Sequence, residues 1–176
     1  MSNIRSFEDR EPQIAASAFI DESAVVTGNV IIGDDSSVWP CCSVRGDINS
    51  IAIGRRTNIQ DGSILHVTHD SDYAPGGFSL TVGDDVTVGH NVILHACTVE
   101  NLCLIGMGSV VLDGAVIQSG AMLAAGSLVP PGKVLEGGYM WMGSPARNVR
   151  QLTEKESAFL QYSAEHYVLL KNRHRG

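Results

Sequence analysis

Apolar positions recur every six residues along two stretches of the chain: Ile14, Ile20, Val26, Ile32, Val38 and Val44, then Val99, Ile105, Val111, Ile117, Leu123 and Val129. A strand alternates faces every two residues and a helix turns every 3.6, so this step fits neither as one continuous element. It fits short strands joined by regular corners. Four residues after each large aliphatic lies a smaller side chain: Ala18, Ala24, Val30, Ser36 and Cys42 in the first run, Cys103, Ser109, Ala115, Ala121 and Ser127 in the second. Glycine often follows the large residue, as in Ile32-Gly33, Ile53-Gly54, Val82-Gly83, Val88-Gly89 and Ile105-Gly106, and is expected to relieve a tight corner there. Such repetition predicts an all-β solenoid whose coils share one core over about residues 12–130.

The pattern resembles the hexapeptide-repeat family, which implies a left-handed parallel β-helix of triangular section with three hexads per coil. Beyond Val129 the hexad is expected to stop. Pro130-Pro131-Gly132, Gly137-Gly138 and Gly143-Ser144-Pro145-Ala146 mark a turn-rich connection over 131–151. Thr153 and Glu156 then form a capping-box signature for a helix over 152–172, with Phe159, Leu160, Tyr167, Val168 and Leu170 as its apolar positions and a basic end from Lys171 to Arg175. The whole, residues 1–176, reads as one domain, the helix packing along the solenoid and helping to cap it.

Composition narrows the function classes. With 44% hydrophobic and 18% charged residues this is ordinary soluble composition, and a formal charge of −7 without a basic stripe argues against nucleic-acid partners. No apolar run approaches the ~20 residues of a membrane helix and no signal peptide opens the chain, so a cytoplasmic setting is expected. Cys42, Cys97 and Cys103 occupy inward packing slots and Cys41 should face outward, which leaves no disulfide framework or thiolate metal site.

Candidate chemistry sits where the ladder is disturbed. Ile53, Ile59 and Leu65 keep the six-residue step, then seventeen residues pass before Val82, Val88 and Leu94 resume it, which places an insertion at a corner over about 66–81. With three hexads per coil, Leu94 lies on the same face as Leu65 one coil later. His66 and His95, each following one of those leucines, therefore share a phase on stacked strands, at a spacing of about 4.8 Å that suits two imidazoles on one metal. His90 lies on the preceding face and is expected to reach that metal only from a neighbouring subunit of a threefold ring. Three histidines with the fourth position left to water form the catalytic type of zinc site.

At these residues the chain resembles γ-class carbonic anhydrases. Arg45-Gly46-Asp47, then Asn58-Ile59-Gln60-Asp61-Gly62 leading to Leu65-His66, then Gly89-His90-Asn91 and Leu94-His95-Ala96-Cys97, match that family's motifs in order and spacing. The resemblance implies a homotrimer with interfacial zinc, iron or cobalt being substitutes, held by His66, His90 and His95. It further implies reversible hydration of carbon dioxide to bicarbonate by a metal-bound hydroxide. Arg45 and Asp47 resemble the pair that joins adjacent subunits, with Asp61 in the same network, and Gln60 resembles the residue that orients the metal-bound water. Asn58 is a candidate beside it, and reads more readily as a corner residue. Tyr167 resembles the polar residue that the terminal helix sends toward a metal site, and reads also as a packed aromatic.

The chain departs from the family in its proton-export glutamates. Ile48 follows Asp47, and the insertion offers His69, Asp70 and Asp72 but no glutamate. His69, with an unperturbed pKa near ~6.5, is the candidate shuttle. Two rival functions stand beside the lyase: an acyltransferase on the same scaffold that uses acyl-coenzyme A, and a metal-binding trimeric scaffold with little turnover.

Overall fold

The structure, a computed structural model, describes residues 3–175. They form a left-handed parallel β-helix of about eight coils followed by one helix, Glu154–Arg175. Three faces stack in register. The first carries inward Val26, Val44, Leu65, Leu94, Val111 and Val129. The second carries Ile32, Ile53, Val82, Val99, Ile117 and Leu135, and the third Ile20, Val38, Ile59, Val88, Ile105, Leu123 and Trp141. Apart from Ile20 these are buried, and together with the small residues of the second slot they fill the bore. Each fully buried Leu or Ile contributes roughly 1.5–3 kcal/mol, so the ladder is also the stability of the molecule.

Regularity fails along one edge only. Val44 to Ile53 takes nine residues, Leu65 to Val82 seventeen and Leu94 to Val99 five, and all three passages lie between the first and second faces. At Val44 the chain rounds that edge as one strand, Ser43–Ile53. After Leu65 it makes a short excursion closed by antiparallel bridges Thr68 with Phe78 and Ser71 with Ala74. The excursion proper spans 67–79, because His66 ends the strand Ile64–His66 and Leu80 begins the strand Leu80–Val82.

Several expectations need correction. The hexad does not stop at Val129: Leu135 and Trp141 continue it, each a further six residues on, with Pro130-Pro131-Gly132 acting as one more corner. The supposed turn-rich connection holds Tyr139–Gly143, which continues the third face, and Ala146–Gln151, which pairs antiparallel with it at the edge of that sheet. The glycines that follow large residues are needed for stacking rather than for a strained corner. A Cβ on Gly106 would lie 2.4 Å from the Ala125 nitrogen of the next coil, while the positive φ falls later, at Gly108. Asn58 is not a corner residue but a buried strand residue, paired in register with Ser37 and Thr87.

The helix starts two residues later than expected and runs three further. Thr153 N–H donates to Glu156 Oε2 at 2.9 Å and Glu156 N–H to Thr153 Oγ1 at 3.2 Å, the reciprocal capping box. The helix packs on the third face through Leu160, Ser163 and Ala164. Lys171, the first residue of the expected basic end, is buried. Its Nζ donates to the Ser17 carbonyl and to Asp35 Oδ1, both at 2.9 Å, and anchors the helix end to the first coils. No helix among the described residues is long and apolar enough to cross a membrane.

Candidate functional site

The irregular edge brings His66 and His95 together. They are register partners on adjacent strands, and because Leu65 and Leu94 point inward the next residue of each strand points out. His66 Nδ1 and His95 Nε2 stand 3.2 Å apart. Their other nitrogens are engaged by carboxylates: His66 Nε2 lies 3.1 Å from Asp47 Oδ1, and His95 Nδ1 lies 2.6 Å from Asp113 Oδ1. Arg45 pairs with Asp47 within the chain, and the Thr68 hydroxyl donates to Asp113 Oδ2 at 2.6 Å. The pair Arg45 and Asp47, which the resemblance sets between subunits, thus has an intramolecular partner and a second task in holding His66.

Burial raises the cost of ionising both aspartates, yet hydrogen bonds outweigh it. Those from Arg45 and His66 hold Asp47 below its ordinary range, and those from Thr68 and His95 do so for Asp113. Both stay carboxylates and accept the outer ring protons. With the outer nitrogens engaged in this way, His66 Nδ1 and His95 Nε2 face each other, an arrangement that a proton or a metal cation between them satisfies. Burial pushes the His66 pKa down and so disfavours the proton. Two nitrogens on one tetrahedral zinc lie about 3.3–3.4 Å apart, close to the separation here, and a carboxylate behind each ligating histidine is the usual support. The donor set therefore fits a divalent metal.

The opposite edge of the first face carries the remaining candidates other than His69. His90 Nδ1 lies 3.0 Å from Asp61 Oδ2, which repeats the carboxylate support and leaves Nε2 for a further ligand. Gln60, in the coil before Gly89, donates from Nε2 to Asn58 Oδ1 at 3.0 Å. Tyr167 packs edge-on against Trp39 at 5.5 Å and lines a cavity of about 260 Å³ with Gln60, Thr87 and Ser163; burial, then the charge of Asp61, raises its pKa. Tyr167 is thus both a packed aromatic and a neighbour of the candidate site. His69 lies exposed in the excursion. Among the described residues of one chain, no group of three or more His, Cys, Asp or Glu donors converges.

Between the two edges lies an outward ladder in register: Val25, Ser43, Ile64, Ile93, Val110 and Leu128. Ile64 is 45% and Ile93 36% exposed, so water meets an apolar stripe flanked on both sides by His–Asp pairs. Sequence reading attended to inward slots and missed this one. It also missed Asp113, Thr68, Thr87 and Ser163. Asp113 was findable, since it falls just past Val111, one coil beyond Leu94. The cysteines are as expected: burial pushes Cys42 up to about 11 and Cys97 and Cys103 up to about 12, which keeps them protonated packing residues, and Cys41 is exposed.

No protein-family model matches the chain. Over 169 residues it is 52% identical to protein YrdA of Escherichia coli, covering 96% of this chain and 92% of that one. Over 166 residues it is 43% identical to mitochondrial gamma carbonic anhydrase 1 of Arabidopsis thaliana, covering 94% of this chain but only 60% of that longer protein. The crystal structure of a hexapeptide transferase family protein from Anaplasma phagocytophilum superposes with a TM-score of 0.89 at 40% identity, covering 96% of each chain.

Proposed function

The chain belongs to the γ-class carbonic anhydrase family of hexapeptide-repeat proteins, and from that premise we propose that it is a metal-dependent lyase that hydrates carbon dioxide reversibly at a site shared by two copies of the chain. The observation that carries this reading is the placement of the facing His66 and His95 on one edge of an exposed apolar face and carboxylate-supported His90 on the other. A threefold ring closed through that face sets His90 of each copy against His66 and His95 of the next, and buries Ile64 and Ile93. Zinc is the expected ion, with iron and cobalt as substitutes.

A metal held there supplies Lewis acidity and a water activated near neutral pH. The protein's part is orientation and proton handling. Asp47, Asp113 and Asp61 fix the three rings in the tautomers that keep a lone pair for ligation. Gln60 is uncharged and suited to hydrogen-bond an oxygen of the substrate or water without competing as a ligand. Released protons leave through His69 on the excursion, in the place of the glutamates that other members carry there.

Stopped-flow carbon dioxide hydration with zinc- and iron-loaded protein tests the reading, and a rate no higher than that of His66→Ala contradicts it. The transferase name of the Anaplasma relative favours the acyltransferase alternative. Protection of this protein from thermal unfolding by acetyl-coenzyme A supports that alternative.

A further inference from the structure

Four polar side chains form one hydrogen-bonded line from the terminal helix to Gln60. Ser163 Oγ on the helix lies 3.0 Å from Thr87 Oγ1, Asn58 Nδ2 donates to Thr87 Oγ1 at 3.1 Å, and Gln60 Nε2 donates to Asn58 Oδ1 at 3.0 Å. None of the four is more than 8% exposed. Buried polar groups are costly when unpaired, so a line of them under a docked helix is strongly specified once every member has a partner.

One backbone group fixes the direction of the line. The Val86 carbonyl, 3.4 Å from Asn58 Nδ2, can only accept. Asn58 therefore turns its NH₂ toward Val86 and Thr87 and its oxygen toward Gln60. Gln60 must then give its NH₂ to Asn58, which leaves Oε1 as its uncommitted acceptor. The reverse setting of Asn58 would put its oxygen against the Val86 carbonyl and its NH₂ against that of Gln60. Thr87 accepts from Asn58 and shares a second hydrogen bond with Ser163, in which either hydroxyl can donate. Gln60, Thr87 and Ser163 all line the cavity between the third face and the helix.

We propose that Thr87 and Ser163 are positioning residues that act through Asn58 on Gln60. They hold its amide so that it offers a carbonyl oxygen to an O–H group of water or substrate, and they make the seating of the terminal helix a condition for that orientation. The proposal takes from the proposed function only that Gln60 faces the reacting water; the orientation itself is testable without any metal.

The test is side-chain amide hydrogen exchange of Gln60, read by NMR on the full-length protein. In Thr87→Val the Nε2 proton is expected to exchange about tenfold faster, the loss of one hydrogen bond's protection, while the backbone amides of Gln60 and Val88 keep theirs. Ser163→Ala moves the same way by less, and Thr87→Ser restores the original rate. An unchanged Gln60 rate in Thr87→Val overturns the proposal, as does faster exchange that spreads equally to those backbone amides. In the hydration assay Thr87→Val should lower kcat with KM little changed, again rescued by Thr87→Ser. The expected exchange pattern in a protein without hydration activity upholds the positioning and counts against the proposed function alone.

Discussion

The coils from Val99 to Leu135 and those from Val44 to Leu94 are built from the same hexad but put it to different use. In the later coils every step from Val99 onward is six residues and the outward corners are simple. The middle coils contain two of the three unequal steps and lead out through the third, and they supply His66, His90, Asp47 and Asp61, with His95 at their end. Asp113 alone is lent from the later half, reaching back one coil to His95. Equal steps give stacked ladders, which at the opposite edge still carry the His90–Asp61 pair and the Asn58–Gln60 bond. Unequal steps at one edge leave strand ends whose side chains meet outside the core, so stability and chemistry are carried by separable parts.

Breaking the chemical part should leave the other nearly intact. His90→Ala is expected to take bound metal from about one ion per chain to background while the circular dichroism spectrum is unchanged, as elemental analysis of the purified protein would read. Breaking the regular part should do the reverse. Leu123→Ala empties a fully buried position and should lower stability by ~2–5 kcal/mol in equilibrium denaturation, with the metal content of the folded fraction preserved. A smaller effect on the chemical side comes from Asp113→Asn, which removes the carboxylate behind His95. Metal affinity by competition with a chelator should weaken about 10–100-fold.

The smallest expected effect lies outside both halves, at the helix cap. Arg150 and the Thr153 groups hold the Glu156 carboxyl at about 2, below its ordinary 4.5. Its folded pKa is depressed, so its contribution is complete above pH 4.5 and is lost as the pH falls from 4.5 toward 2. Glu156→Gln should flatten that part of the stability–pH curve, measured by urea denaturation at several pH values, and should not alter metal content at neutral pH.

The fold was legible because inward packing repeats along the chain itself. Phase alone placed His66 beside His95 and kept His90 apart, and the register of Ile64–His66 with Ile93–His95 is what the six-residue count requires. What escaped depends on neighbours in space. Leu135 and Trp141 were hidden behind Pro130-Pro131-Gly132 and Gly137-Gly138, which read as a break although Gly132 turns a regular corner. Lys171 looked like a helix-end charge until the helix brought it to Ser17 and Asp35, more than a hundred residues earlier. The Asn58–Thr87–Ser163 line joins residues whose polarity is individually unremarkable, and only the stacked coil and docked helix connect them.

The central claim is that one chain cannot complete the site, and mixing complementary defects tests it most directly. His66→Ala and His90→Ala, each purified alone, should bind no metal at the shared site. Co-expressed in equal amounts and assorted at random into threefold rings, they should recover metal at about one site in four, because a site is whole only where a chain with His66 meets a neighbour with His90. No recovery in verified mixed assemblies would contradict the account.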